Sequence, residues 1–305
     1  MSAQSGILPA ISAHARFVVI NLRELPLDSL KRQVQLLEST RERLRGQHVE
    51  AGLVSVLAFG PALWLNLRNR APKDLHPLVP IRGKQTMPAT GGDVFLHVHS
   101  QRADLCFALV HAFLAPIISE VEVLEDVTGF RYLDSRDLTG FIDGTENPVN
   151  GAERARAALI GREDHNFAGG SYVFTQRYVH HLDKWQHLKV DAQEHVFGRS
   201  KLDSIEMDDE VKPENAHIAR VVIEEDGEEL QIVRHSLPYG NSTEAGTFFV
   251  AYTRSTTIID RMLARMYGTT DDGLHDRLLH FTTPVSGAYF FAPPQEMLES
   301  VAGIG

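Results

Sequence analysis

The sequence predicts an α+β chain in which one small fold is built twice, and three observations carry that reading. Its 305 residues are enough for about two domains. Strand and helix patterns follow one another in a fixed order through the first half. A stretch late in that half is then echoed, in pattern and position, by a stretch late in the second. Hydrophobic content of 43% and charged content of 23% belong to an ordinary folded protein and argue against wholesale disorder.

Taken in order, His14 to Leu22 (HARFVVINL) reads as a strand. Leu27 to Leu44 reads as an amphipathic helix, with Leu30, Val34, Leu37 and Leu44 on or near one face. Gly52 to Trp64 is a second apolar strand region and Asp93 to His99 (DVFLHVH) a third strand. Ala103 to Leu114 supplies a second helix and Val121 to Arg131 a fourth strand. The order β-α-β-β-α-β is that of a ferredoxin-like unit. In the second half, Gly169 to Tyr178 is a strand and Leu182 to Val190 the start of a helix. Ile218 to Ile223 and Gln231 to His235 are strands, and the strand Gly246 to Thr253 leads into a helix over Thr257 to Met266. The segment from Gly91 (GGDVFLHVHSQRADLCFALVHAF) matches that from Gly246 (GTFFVAYTRSTTIIDRMLARMY), each a strand feeding an apolar helix. The expected architecture is a duplicated ferredoxin-like fold, two antiparallel sheets packed together with peripheral helices.

Charge narrows the function. Thirty Lys+Arg against forty Asp+Glu give −10, which argues against a general nucleic-acid or anionic-membrane binder, although local basic patches survive such an average. The single cysteine, Cys106, excludes an internal disulfide framework and a thiolate metal cluster held by this chain alone. The apolar run from Gly52 to Trp64 is broken by Gly60 and Pro61 and is too short to span a bilayer. Residues Met1 to Ala15 carry no basic region followed by a long apolar one, so cytoplasmic residence is expected.

Between the halves, Asp134 to Gly151 (DSRDLTGFIDGTENPVNG) differs from its surroundings. A linker accounts for the glycines and proline, and an Asx-turn accounts for a carboxylate. Neither explains Phe141 and Ile142 just ahead of Asp143, flanked by Gly140 and Gly144. Apolar side chains on such a loop need burial and carry Asp143 inward with them, while glycine lets backbone approach a ligand closely. Further on, His217 stands at the start of the Ile218 strand. Arg234 and Ser236 fall on one face at the end of another.

With these residues in this order, the sequence resembles the dye-decolourising peroxidases, haem peroxidases built from two ferredoxin-like halves. The Gly-x-x-Asp-Gly signature stands as Gly140-Phe141-Ile142-Asp143-Gly144, running on into Thr145-Glu146-Asn147-Pro148, and the His217 and Arg234 segments follow. The likeness covers essentially the whole chain and is closest to the compact bacterial, cytoplasmic subgroup. It implies a division into an N-terminal half (1–133), a connecting segment with the signature loop (134–168) and a haem-binding C-terminal half (169–305).

The resemblance implies one haem b per chain with His217 as proximal iron ligand. It gives Asp276 as the acceptor for the other ring nitrogen, with Asp260, Asp271 and Asp272 near it in sequence. Asp143, Arg234 and Ser236 are expected on the distal side. There a carboxylate moves the peroxide proton and a guanidinium stabilises developing charge, ending in an oxoferryl intermediate. Many relatives carry Asn where Ser236 falls, and the hydroxyl is a shorter donor. Gly144, Thr145 and Phe249 are expected to line the cofactor pocket, with Phe248 facing away. Expected partners are hydrogen peroxide, a small-molecule reductant and further copies of the chain. An encapsulating shell protein enters through the tail Ser300 to Gly305, whose Gly-Ile-Gly resembles a docking segment. Two tryptophans and several tyrosines, among them Trp64, Trp185 and Tyr289, are candidate surface relays. A haem carrier or iron-removing protein could use the same His217 pocket without Asp143 and Arg234, and a haem-free interaction module predicts no Soret band.

Overall fold

Strand β1 (His14–Leu22) opens the first half in the computed structural model, which describes residues 1–23 and 26–303. It is followed by α1 (Leu27–Gln47), β2 (Val54–Phe59), α2 (Pro61–Arg68) and a short hairpin β3–β4 (Ile81–Arg82, Thr86–Met87). Then come β5 (Val94–Ser100), α3 (Ala103–Leu114) and β6 (Val121–Phe130). The second half runs α4 (Gly151–Ala158), β7 (Ser171–His180), α5 (Leu182–Gln186), α6 (Val190–Phe197) and α7 (His217–Val221). A hairpin β8–β9 (Glu224–Glu225, Glu228–Glu229), β10 (Val233–Arg234), β11 (Leu237–Gly240) and β12 (Ala245–Thr253) follow. The half closes with α8 (Thr256–Tyr267), β13 (Thr282–Pro284), β14 (Ala288–Ala292) and α9 (Gln295–Ala302). Ile304 and Gly305 of the expected docking tail lie outside the described residues.

The duplication is visible in the pairing. The first half runs β2-β5-β1-β6 and the second β10-β12-β7-β14, with β11 also on β12. In each, the strands stand second, third, first, fourth, and every pairing is antiparallel. The two sheets are continuous at one edge, where β14 meets β2 through Phe291 and Phe59. At the opposite edge β11 lies against β6. A Cβ at Gly129 would stand 2.9 Å from that of Leu237, so glycine admits this approach.

Inner faces meet in a core that holds Phe17, Val56, Phe95, Phe248, Val250 and Phe290. The rings of Phe17 and Phe248 stack at 4.5 Å between centroids. Helices cover the outer faces, α1, α3 and α9 on the first half and α8 on the second. As the periodicity predicts, Leu30, Val34, Leu37 and Leu44 form the buried stripe of α1. The second predicted strand region stops at Phe59, because Pro61 takes the first position of α2. The helix expected from Leu182 is two short ones. No described helix is long and apolar enough to cross a membrane.

One predicted strand is wrong. IARVVI lies mostly in the short helix α7, with His217 its first residue rather than a strand entrance. Consecutive β-branched residues favour a strand locally. Here Ala216 stays extended, Arg220 N–H reaches back to its carbonyl, and Arg265 donates to the carbonyls of Ala219 and Val222. The tertiary partners override the local preference. Likewise, strand character over Gln231 to His235 is confined to Val233 and Arg234.

Three histidines, His97, His99 and His235, are buried in the inner core. His97 Nδ1 pairs with the Tyr252 hydroxyl at 2.8 Å, His99 Nδ1 with the Ser12 hydroxyl at 2.9 Å, and His235 Nε2 with the Arg154 guanidinium at 3.0 Å. Burial holds all three below the usual histidine range, His99 at about 4. The unfolded chain binds protons that the folded one refuses, so stability is full above the unfolded value near 6.5 and falls as pH drops below it. Each histidine contributes a slope of about 1.4 kcal/mol per pH unit. Urea midpoints should therefore fall between pH 7 and pH 5.5, where ordinary carboxylates hardly titrate; a flat profile there contradicts the account.

Candidate active site

Strand β12 has two faces with different destinations. Phe248, Val250 and Tyr252 enter the inner core, which leaves Thr247 and Phe249 to point outward. Above that outer face, the signature loop and helices α6, α7 and α8 enclose a cavity with about 1480 Å³ of empty volume, part of it open to solvent. Its walls are largely apolar, including Phe174, Phe197, Ile232, Phe249, Leu263 and Met266.

His217 lines this cavity from the first turn of α7. Its Nδ1 meets Asp276 Oδ2 at 2.6 Å, and Asp276 is fully buried. The other oxygen, Oδ1, accepts from Leu278 N–H at 2.8 Å, capping the helical turn Arg277–His280. Met266 C=O accepts the Asp276 N–H at 2.8 Å. With the residue held by its backbone N–H and its carboxylate by Leu278 N–H, Oδ2 accepts from Nδ1–H and so sets the tautomer that leaves Nε2 a free lone pair. Asp276 is thus the one of the four sequence candidates that touches His217.

Asp143 reaches the same cavity from the glycine-rich loop. The expected anchor is present: Phe141 is buried and stacks on Phe197 at 4.0 Å, beside Trp185. Gly140 and Gly144 hold φ of +90° and +81°, a backbone that glycine adopts without cost. Burial raises the Asp143 carboxyl above its ordinary value, Arg234 opposes this and Asp137 adds to it. Arg234 lines the cavity too, as do Gly144 and Thr145.

Ser236 is placed differently. Strand β10 ends at Arg234, so the alternation does not continue to Ser236. Its hydroxyl accepts from Val250 N–H at 3.4 Å, and it is not part of the cavity wall. The sequence reading missed Asp137 and His180, which both line the cavity. His180 Nε2 meets Asp137 Oδ1 at 3.1 Å and Nδ1 meets the Thr282 hydroxyl at 2.8 Å. Thr139 and Thr247 also donate to Asp137. Burial opposes its charge, yet His180 and these donors outweigh burial and hold the carboxyl below the usual range. The available signal was a second acidic residue just ahead of the signature glycines.

These residues fit an iron porphyrin. Both ring nitrogens of His180 are engaged by Asp137 and Thr282, so the cavity offers the Nε2 of His217 on largely apolar walls, whereas a bare ion needs several protein ligands. Among the described residues no group of three or more His, Cys, Asp or Glu is placed to hold an ion.

Comparison with known proteins agrees. Residues 4–131 match the N-terminal and residues 134–297 the C-terminal family profile of the Dyp-type peroxidases. The dye-decolorizing peroxidase of Mycolicibacterium paratuberculosis is 38% identical over 298 residues, spanning 96% of this chain and 84% of that protein. The encapsulated DyP-type peroxidase from Mycobacterium smegmatis superimposes with a TM-score of 0.92 at 35% identity, covering 98% of this chain and 97% of that one. A variant of DypB from Rhodococcus jostii, solved in complex with heme, gives 0.90 at 35% identity and 98% of each chain. The chain belongs to the Dyp-type peroxidase family and is a peroxide-dependent oxidoreductase of the dye-decolourising kind.

Proposed function

We propose that this chain reduces hydrogen peroxide at a haem b, one per chain, and oxidises dyes, phenolic or other organic electron donors. The observation behind the reading is that a carboxylate-anchored imidazole, a half-buried acid and a guanidinium open on one largely apolar cavity. Bound there, the haem supplies an iron that peroxide oxidises and the donor reduces again.

His217 Nε2 would hold the iron. Asp276 keeps Nδ1 protonated and strengthens the imidazole as an electron donor through a charge-assisted hydrogen bond. Phe249 and its apolar neighbours exclude water from the cofactor faces, and Gly144 and Thr145 bring the loop close. An Asp143 oxygen takes the proton from the incoming peroxide and returns it to the departing oxygen, so that water leaves. Arg234, always charged, favours the hydroperoxide anion and the charge that develops as the O–O bond breaks. In this reading Ser236 steadies β12 from behind through the Val250 N–H. The division at residues 133/134 and 168/169 assigns all of these groups to the connecting segment and the second half. We further place the enzyme in the cytoplasm as a homo-oligomer, and the encapsulated relative makes a protein shell a candidate partner.

His217→Ala should lose the Soret band of protein purified from haem-replete cells, and imidazole added to that variant should restore part of it. Asp276→Asn should keep haem but raise its reduction potential, measured by spectroelectrochemistry, because a neutral acceptor donates less through the ring. An unchanged potential removes Asp276 from the scheme.

Asp143 acts as base when ionised, so the second-order rate with peroxide should be lost as pH falls through its raised pKa. Asp143→Asn should remove that acid limb and slow the step by about 10²–10⁴-fold. Stopped-flow traces that keep the wild-type rate and pH profile would rule the role out. A haem carrier, by contrast, needs neither Asp143 nor a rapid peroxide reaction.

A further inference from the structure

Arg234 lies on an edge strand, and its main-chain groups on the open side need a partner. Strand β10 ends its sheet and pairs with β12 alone. The N–H of His235 points to β12, donating to Val250 C=O at 2.9 Å. Successive residues alternate, so the N–H and C=O of Arg234 face the other way. Asn147 meets both. Its Oδ1 accepts from Arg234 N–H at 2.8 Å, and its Nδ2 donates to Arg234 C=O at 2.9 Å. The side-chain amide thus reproduces the two-bond exchange of a neighbouring strand, and only this orientation of the amide satisfies both groups.

Asn147 is equally fixed to the loop that carries Asp143. Its N–H donates to Gly144 C=O at 3.0 Å, closing a turn directly after Asp143. A Cβ at Gly144 would stand 3.3 Å from Asn147 Nδ2, so glycine keeps clear the space the amide occupies. Beside it, Glu146 pairs with Arg199, and Asp143 N–H donates to Ser135 C=O at 3.0 Å. The loop is therefore held on its own side by two contacts and on the side of Arg234 by Asn147.

We infer that Asn147 is a positioning residue that sets the spacing of Asp143 and Arg234. This assignment rests on the peroxidase reading, in which those two groups act together on one small molecule. Displacing one against the other by about 1 Å can cost on the order of 10²-fold in rate. An amide that merely covers a strand edge would instead cost stability and leave the peroxide step alone.

Asn147→Ala and Asn147→Asp, in the full-length haem-loaded protein, separate these cases. Asp keeps an acceptor for Arg234 N–H and loses the donor to its C=O. In Asn147→Ala, amide exchange at Arg234, resolved by fragmentation of peptides spanning 231–236, should rise about tenfold. The second-order rate with hydrogen peroxide should fall about tenfold. The rate at which an organic donor returns the peroxide-oxidised enzyme should stay within about twofold. Asn147→Asp should retain exchange protection and part of the peroxide rate, and it carries the comparison if the alanine variant does not fold. Unchanged exchange overturns the assignment, as does an unchanged peroxide step once exchange has risen, or a loss shared equally by both half-reactions. Failure of the wild type itself to react with peroxide overturns the peroxidase reading, and this assignment with it; that failure appears before any variant is made.

Discussion

The inner faces of the two sheets are committed to each other, and the rest of the molecule follows from that commitment. Phe248, Val250 and Tyr252 belong to the inner core, where Phe248 stacks on Phe17 and Phe95. Because a strand alternates its side chains, Thr247 and Phe249 can only face outward. The first half covers its outer face with long helices α1 and α3. The second half covers its outer face with α8 alone among long helices, and the signature loop and the short helices α6 and α7 complete the cover, with the cavity between them and the sheet. Duplication thus supplied two equivalent outer faces, of which one was closed by packing and the other kept for chemistry.

Inside that cavity two carboxylates of one loop are driven apart electrostatically. Asp137 is surrounded by donors, with His180, Thr139 and Thr247 holding its charge. Asp143 has no comparable set and is raised by burial, with the Asp137 charge pushing in the same direction and Arg234 against it. One carboxyl is held toward its charged form and the other pushed toward its neutral one, so that their environments differ in sign within one cavity. The same logic governs the imidazole: Asp276 fixes one nitrogen so that the other is free.

Much of this was legible in the sequence because it rests on local chemistry. Apolar periodicity marked α1, the four strands of the first half and β7 and β12 of the second, though not β11 or β14, and glycines around Asp143 marked a loop that must approach something closely. Phe141 announced its burial, whereas Ile142, expected to be buried with it, is half-buried on the cavity wall. The segment after His217 misled, since its β-branched residues prefer a strand until Arg265 claims the carbonyls of Ala219 and Val222. Ser236 misled for a related reason: alternation predicts its face only while the strand lasts, and β10 ends two residues before it.

The sequence by itself determined the strand order of the first half, the echo of its β5–α3 unit in β12–α8, the glycine-rich acid loop and the family resemblance, since each is written in spacing along the chain; the fourth strand of the second half, β14, was not among the predicted ones. Only the tertiary structure set Asp276, which the resemblance had named, at 2.6 Å from His217, and only it showed that Asp137 and His180 share the cavity with Asp143. It alone brought the Asn147 amide to the backbone of Arg234, 87 residues away. Those choices depend on groups that meet across the fold at hydrogen-bond distance, and no pattern along the chain encodes such a meeting.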